Sequence, residues 1–196
     1  MSAAREVDKG RYLFPKLYAD FVQRLRVPCG FLLLITFAWL SEPSRASILL
    51  GIPFSLLGLT LRGWAGGHLA KDQQLATSGP YSYLRNPLYA GTLIVACGIV
   101  IASRNLWLGL VFAAAFGLIY LPAVELEEQH LREIFPDYAA YASQTRRFLP
   151  TNHFSGAHRR FSWALYRRNE EYKAFLGFLV ALAWLLWRCW LSQTVT

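Results

Sequence analysis

Five apolar runs, separated by short polar or basic stretches, set the pattern of this chain. They cover Val27–Leu40, Ala46–Leu61, Pro87–Ser103, Leu106–Val124 and Ala174–Leu191, at 14, 16, 17, 19 and 18 residues. A helix crosses a bilayer with about 20 apolar residues, in a range of about 17–25. The third, fourth and fifth runs have that length, although Arg188 interrupts the fifth. The first is short unless its helix starts near Phe21, with Arg24 and Arg26 reaching back to the headgroups. The other reading makes the first two runs a re-entrant or tilted pair. The expected fold is all-α: one integral-membrane helical bundle over residues 1–196, with about five transmembrane helices. Tight turns at 41–47 and at Arg104-Asn105 leave no room for a domain on that side.

Composition agrees with this class. The 196 residues are 55% apolar and 16% charged, with a mean hydropathy of +0.28; globular domains average about 25% charged. So much Leu, Phe and Trp excludes disorder. The three cysteines, Cys29, Cys97 and Cys189, form no C-x-x-C pair and read as small buried hydrophobes. No apolar region precedes residue 28, so no cleavable signal peptide is expected.

Charge supplies a direction. Twenty Lys and Arg against twelve Asp and Glu give +8. The basic residues lie between apolar runs rather than in one basic region, which fits topology and not nucleic acid. With the N-terminus in the cytosol, sixteen basic residues fall in inner segments: Arg5, Lys9, Arg11, Lys16, Arg24, Arg26, Lys71, Arg85, Arg132, Arg146, Arg147, Arg159, Arg160, Arg167, Arg168 and Lys173. Only Arg45 and Arg104 fall in outer turns. The positive-inside rule therefore puts the 65–86 loop and the 125–173 segment in the cytosol, the C-terminus outside and any chemistry at the cytosolic face. A bacterial inner membrane is the expected location.

Two polar segments carry the candidate chemistry. In the first, Asn86-Pro87 reads as a helix start, because Asn is a good N-cap and Pro fits the first helical position. The positive end of that helix would face the cytosol and favour anionic or polar ligand groups. Alternatively, Tyr81, Tyr83 and Tyr89 form only an interfacial aromatic belt. In the second segment, three carboxylates end the fourth run. Glu128 sits four residues before Arg132, a common surface pair, and is expected to be solvated. Glu127 shares its stripe with Tyr120, Ala123 and Leu131, where a carboxylate is costly unless it has a partner. Glu127 is thus the functional candidate, and Pro122 is expected to kink the helix beside it. Arg146 and Arg147 carry the charge to bind a carboxylate or lipid phosphate, or serve topology alone. His68, His130, His153 and His158 show no ligand spacing, so no metal is expected. Phosphate-loop, dinucleotide and serine-nucleophile motifs do not occur.

Together these segments resemble a known family. The stretch Gln73–Gly91 (QQLATSGPYSYLRNPLYAG), Glu127-Glu128-x-x-Leu131, Phe135-Pro-Asp-Tyr138-x-x-Tyr141 and Arg147-Phe-Leu-Pro150 are similar to the isoprenylcysteine carboxyl methyltransferases and their phospholipid N-methyltransferase relatives. Arg62-x-x-Ala65 also resembles the family pattern. The likeness covers about residues 58–150 in order and spacing. It leaves 151–196 as an amphipathic segment plus a final transmembrane helix.

The resemblance implies an integral-membrane enzyme that uses S-adenosylmethionine without a Rossmann domain. Its cofactor would lie at the cytosolic end of the bundle, and a lipidic or small membrane-accessible acceptor would enter from the bilayer. The family's cofactor contacts map onto Lys71, Gln73, Gln74, Leu75, Ala76, Tyr81, Asn86, Pro87, Leu88, Tyr89 and Glu127. The aromatic faces of Tyr81 and Tyr89 would suit a sulfonium. This chain has Gln73 and Asn86 where the family often has His. It has Ala123 where the prenylcysteine enzymes carry an Arg for the substrate carboxylate. That weighs against carboxyl methylation of a prenylcysteine and leaves thiol, amine, phenol or other lipid acceptors open; the resemblance implies an isoprenylcysteine carboxyl O-methyltransferase-like activity, with phospholipid N-methylation and small-thiol S-methylation as the alternatives. No residue stands out as a general base. The rival expectations are a reductase-like relative and a non-enzymatic membrane protein.

Overall fold

The computed structural model describes residues 14–151 and 159–194. Arg5, Lys9, Arg11, His153 and His158 lie outside the described residues, as do the side chains of Lys16 and Arg26. All the regular elements described are helical: α1 (Lys16–Leu40), α2 (Arg45–Gly66), α3 (Pro87–Ser103), α4 (Leu106–Ala115), α5 (Leu121–Ile134), α6 (Tyr138–Gln144), α7 (Trp163–Arg168) and α8 (Tyr172–Thr194). One isolated bridge pairs Leu84 with Arg146. The first apolar run belongs to a single 25-residue helix that starts earlier than Phe21. Among the described residues, three stretches are long and apolar enough to cross a membrane: Arg45–Gly66, Leu106–Ile134 and Tyr172–Thr194. Val27–Leu40 and Pro87–Ser103 are shorter apolar stretches.

The α1–α2 and α3–α4 links are short because each is closed by its own side chains. Ser44 and Ser47 form a reciprocal capping box at the start of α2. Arg104 takes the left-handed conformation (φ 54°) that ends α3. Asn105 accepts from the Trp107 N–H (3.0 Å) and donates to the Leu40 carbonyl (2.8 Å), tying α4 to the end of α1.

The most intimate packing is between α2 and α3, which run antiparallel. Gly51, Ser55 and Gly58 on α2 face Gly98, Val95 and Gly91 on α3, and a Cβ at any of these glycines would collide with the opposing helix. Small residues at spacings of three and four let two backbones meet where lipid supplies no hydrophobic drive. By contrast, α1 packs on α4 and α5, while α8 packs on α2. The outward faces remain apolar: Leu49 and Val180 are about 70% exposed. A surface of that kind suits hydrocarbon rather than water.

The fourth run continues through five residues of π-helix, Phe116–Tyr120, into α5. The irregularity has an identifiable cause. Pro122 has no N–H to offer the Leu118 carbonyl four residues back. That carbonyl instead accepts from the Tyr18 hydroxyl of α1 at 2.8 Å. The break expected at Pro122 is therefore a π turn just before it, used to anchor α1.

Candidate functional site

The polar end of the bundle is built by the loop between α2 and α3. Gly79 has φ +59°, and a side chain there would strike the His68 ring. His68 is buried, with Nδ1 at 2.9 Å from Ser78 Oγ. A 3-10 turn over Gly79–Ser82 then buries Tyr81, whose carbonyl accepts from the Tyr141 hydroxyl of α6 at 2.7 Å. The next residues pair with the chain after α6: Arg85 N–H donates to the Arg146 carbonyl (2.9 Å) and Asn86 N–H to the Arg147 carbonyl (3.1 Å).

This pairing gathers three donors around one carboxylate. Glu128 is 4% exposed and accepts from Asn86 Nδ2 (2.9 Å), Arg147 Nε (3.0 Å) and Arg85 (3.3 Å). The expectation of a solvated Glu128–Arg132 pair is thus corrected. Arg132 lies over the Tyr138 ring, 5.4 Å from its centroid. The geometry also corrects the cap at Asn86. It does precede α3, but its side chain makes no cap bond and is spent on Glu128.

One residue earlier on α5, Glu127 points the other way. It is exposed, which corrects the expectation of a costly position on an apolar stripe, and it accepts from the Tyr89 hydroxyl at 3.1 Å. It lines a cavity of about 470 Å³. Lys71, the stretch 74–76, Tyr81, the stretch 86–89 and Ala123 line the same cavity. Gln73 does not; with its amide oxygen turned to Arg168, it accepts from both guanidinium nitrogens at 3.0 Å. Arg146 and Arg147 do not line it either. Arg146 is exposed, and Arg147 is committed to Glu128.

Three of the cavity's tyrosines are held in the neutral form. Burial pushes Tyr81 well above the usual phenol range, and the nearby Glu127 adds to this. Burial likewise raises Tyr138 to about 12, with Glu128 contributing, and raises Tyr141. His130 and Asp72 face each other across this cavity at 3.5 Å. Among the described residues, no group of three or more His, Cys, Asp or Glu is placed to hold a metal ion.

A second cavity, of about 800 Å³, adjoins the first and shares Leu69, Lys71, Leu88, Tyr89 and Glu127 with it. Val27, Gly30, Phe31 and Leu34 of α1 form its apolar side. Its polar side is Arg62, Thr92, Asn169 and Glu171. Arg62 donates to the Leu88 carbonyl (3.3 Å) and to Thr92 Oγ1, and forms an ion pair with Glu171 (2.9 Å). Sequence reasoning found Arg62 only through the resemblance and missed Arg85, Asn169 and Glu171. An Arg at the end of an apolar run is a signal that could have been read alone. Glu171 lies in a charged stretch and gave none.

Residues 48–138 match the family model for phospholipid methyltransferase. The chain is 33% identical over 114 residues to the cobalt-zinc-cadmium resistance protein CzcN of Cupriavidus metallidurans, which covers 57% of this chain and 51% of that protein. It is 26% identical over 141 residues to a protein-S-isoprenylcysteine O-methyltransferase of Schizosaccharomyces pombe, covering 69% and 59% respectively. It is 31% identical over 93 residues to phosphatidylethanolamine N-methyltransferase B of Dictyostelium discoideum, covering 45% and 44%. The chain thus spans about half the length of the curated relatives it matches first. No solved structure matches it. The resemblance read from the motifs is to the same methyltransferases that these comparisons return. The long apolar helices and these relatives together describe a membrane protein.

Proposed function

We propose that this chain is an integral-membrane methyltransferase that binds S-adenosylmethionine in the smaller cavity and a lipidic or small acceptor in the larger. One observation carries the reading: ten of the eleven residues expected at the cofactor line a single cavity, with Glu127 held by Tyr89 on its wall. Its volume lies within the usual range of about 300–1,000 Å³ for ligand sites. The residues also fit the group chemically. Glu127 and the tyrosine hydroxyls suit an ammonium or ribose hydroxyls, and the Tyr81 and Tyr89 rings suit a cation. The first turn of α3, which no side chain caps, suits a carboxylate. When bound, the cofactor supplies an electrophilic methyl group on a sulfonium.

The chain's own contribution is positioning. Leu88, Tyr89 and Glu127 stand on the wall common to both cavities, where donor and acceptor would meet in line. Val27, Phe31 and Leu34 wall the larger cavity yet are 60–67% exposed, so that wall is also the outer surface of the bundle. This supports entry of an apolar-tailed acceptor from the bilayer. The charge asymmetry supports five spans with the site facing the cytosol.

The test is calorimetric titration of S-adenosylmethionine into purified, detergent-solubilised protein and its Glu127→Ala and Tyr89→Ala variants. The expected result is micromolar binding that both substitutions weaken while the helical content stays unchanged. Failure of the well-folded wild-type chain to bind would overturn the assignment.

A further inference from the structure

The chain after residue 159 lies outside the matched family region, yet it completes the larger cavity. It is fastened closely. Ser162 N–H donates to the Gly67 carbonyl (2.9 Å), and Asn169 Nδ2 donates to the carbonyls of Gly66 and Leu69 (both 2.8 Å), groups left over where α2 ends. Gly66 and Gly67 permit this approach, because a Cβ on either would strike Glu171 or Phe161. The result is a buried carboxylate, Glu171, 8% exposed, on the wall of a cavity whose opposite side is apolar.

Among the described residues, the charged side chains lining this cavity are Arg62, Lys71, Glu127 and Glu171, which balance. Arg62 is already held by Leu88, Thr92 and Glu171. Arg62, the guanidinium among the described residues lining this cavity, is therefore already engaged, and Ala123 lines the smaller cavity instead. What the larger cavity offers is a fixed acceptor of protons. Burial raises the Glu171 carboxyl above the usual range, while Arg62 opposes that shift and favours the ionised form. The other titratable groups facing the cavity are Tyr89 of α3 and Tyr120 before α5, with Tyr81 close behind.

We propose that Glu171 is the base for the acceptor, and that the acceptor is therefore an apolar-tailed molecule whose nucleophilic atom carries a proton: a thiol, a phenol or an ammonium. This rests on the methyltransferase reading. The electron pair freed on sulfur, oxygen or nitrogen when the acceptor gives up its proton forms the bond to the methyl carbon, and the methyl–sulfur bond breaks with its pair left on sulfur. The acceptor's proton passes to the Glu171 carboxylate. A carboxylate acceptor carries no such proton and needs no base.

The test uses the full chain in lipid nanodiscs with radiolabelled S-adenosylmethionine and four probes: dodecanethiol, 4-dodecylphenol, dodecylamine and dodecanoate. Calorimetry gives cofactor affinity, and quenching of tryptophan fluorescence gives probe affinity. The wild type is expected to methylate at least one of the first three and to leave dodecanoate at background. Glu171→Gln should lower kcat about 100-fold or more, as loss of a general base does. It should leave both affinities within about threefold, a split that a purely structural role would not produce. The acidic limb of the pH–rate profile should vanish in Glu171→Gln and return in Glu171→Asp. Undiminished kcat in Glu171→Gln, preference for dodecanoate, or a cofactor-bound wild type that methylates none of the three would overturn the proposal. Absence of cofactor binding would instead sink the methyltransferase reading beneath it.

Discussion

Glu127 and Glu128 are adjacent in the chain but lie in opposite environments. Glu128 turns into the protein, where Arg85, Asn86 and Arg147 close around it. Glu127 turns into the cavity, where the Tyr89 hydroxyl is its protein partner. A helix rotates about 100° per residue, so one step separates a carboxylate that organises the fold from one left facing ligand space. The buried carboxylate holds the α2–α3 loop and the segment after α6 against α5, so the exposed one has a wall to work from. Burial and access to the cavity thus fall to different members of this pair.

The comparison is broken most severely at Glu128. Glu128→Ala should cost about 3–5 kcal/mol of stability, because it strands two guanidinium groups in a buried site. Thermal unfolding in detergent would read this, and a variant as stable as the wild type would show that the hub is dispensable. Gly98→Leu tests the frame on which both carboxylates depend. Its side chain would meet Ser55 and Gly51 of α2, and overpacking of this kind costs about 1–3 kcal/mol. Cofactor affinity should fall with stability.

Glu127→Ala should do the reverse of Glu128→Ala. Loss of one charged hydrogen bond is worth about 1.5–3 kcal/mol, or roughly a 10- to 150-fold weaker Kd for S-adenosylmethionine, with the unfolding midpoint unchanged. A coupled loss of stability would erase the distinction between the two residues. Tyr89→Phe sharpens it further. Removing only the hydroxyl should weaken binding by about 0.5–1.5 kcal/mol. At the far end of the bundle, Ser44→Ala removes the α2 cap and should cost about 1 kcal/mol. Calorimetry should find cofactor affinity unaltered there.

Much of this was legible in the chain. The run Pro87–Ser103 is α3 end to end. The stretches 74–76 and 86–89 and Glu127, which the resemblance groups together, line one cavity. Three things were not legible. The solvated Glu128–Arg132 pair was inferred from local helical geometry, which cannot register cations arriving from 43 and 19 residues away. The Asn86 cap was inferred from a local preference that a buried carboxylate outbid. The tail's part in the larger cavity depends on contacts such as Asn169 to Gly66, 103 residues apart.

By itself, then, the sequence determined the helices and the membrane. An apolar run of given length has one favourable solution in hydrocarbon, and that solution closes its hydrogen bonds within the run. Only the tertiary structure decided which carboxylate is shielded, which faces the smaller cavity and which the chain brings from residue 171. The environment of a charge is set by what packs around it, and here that comes from distant parts of the chain.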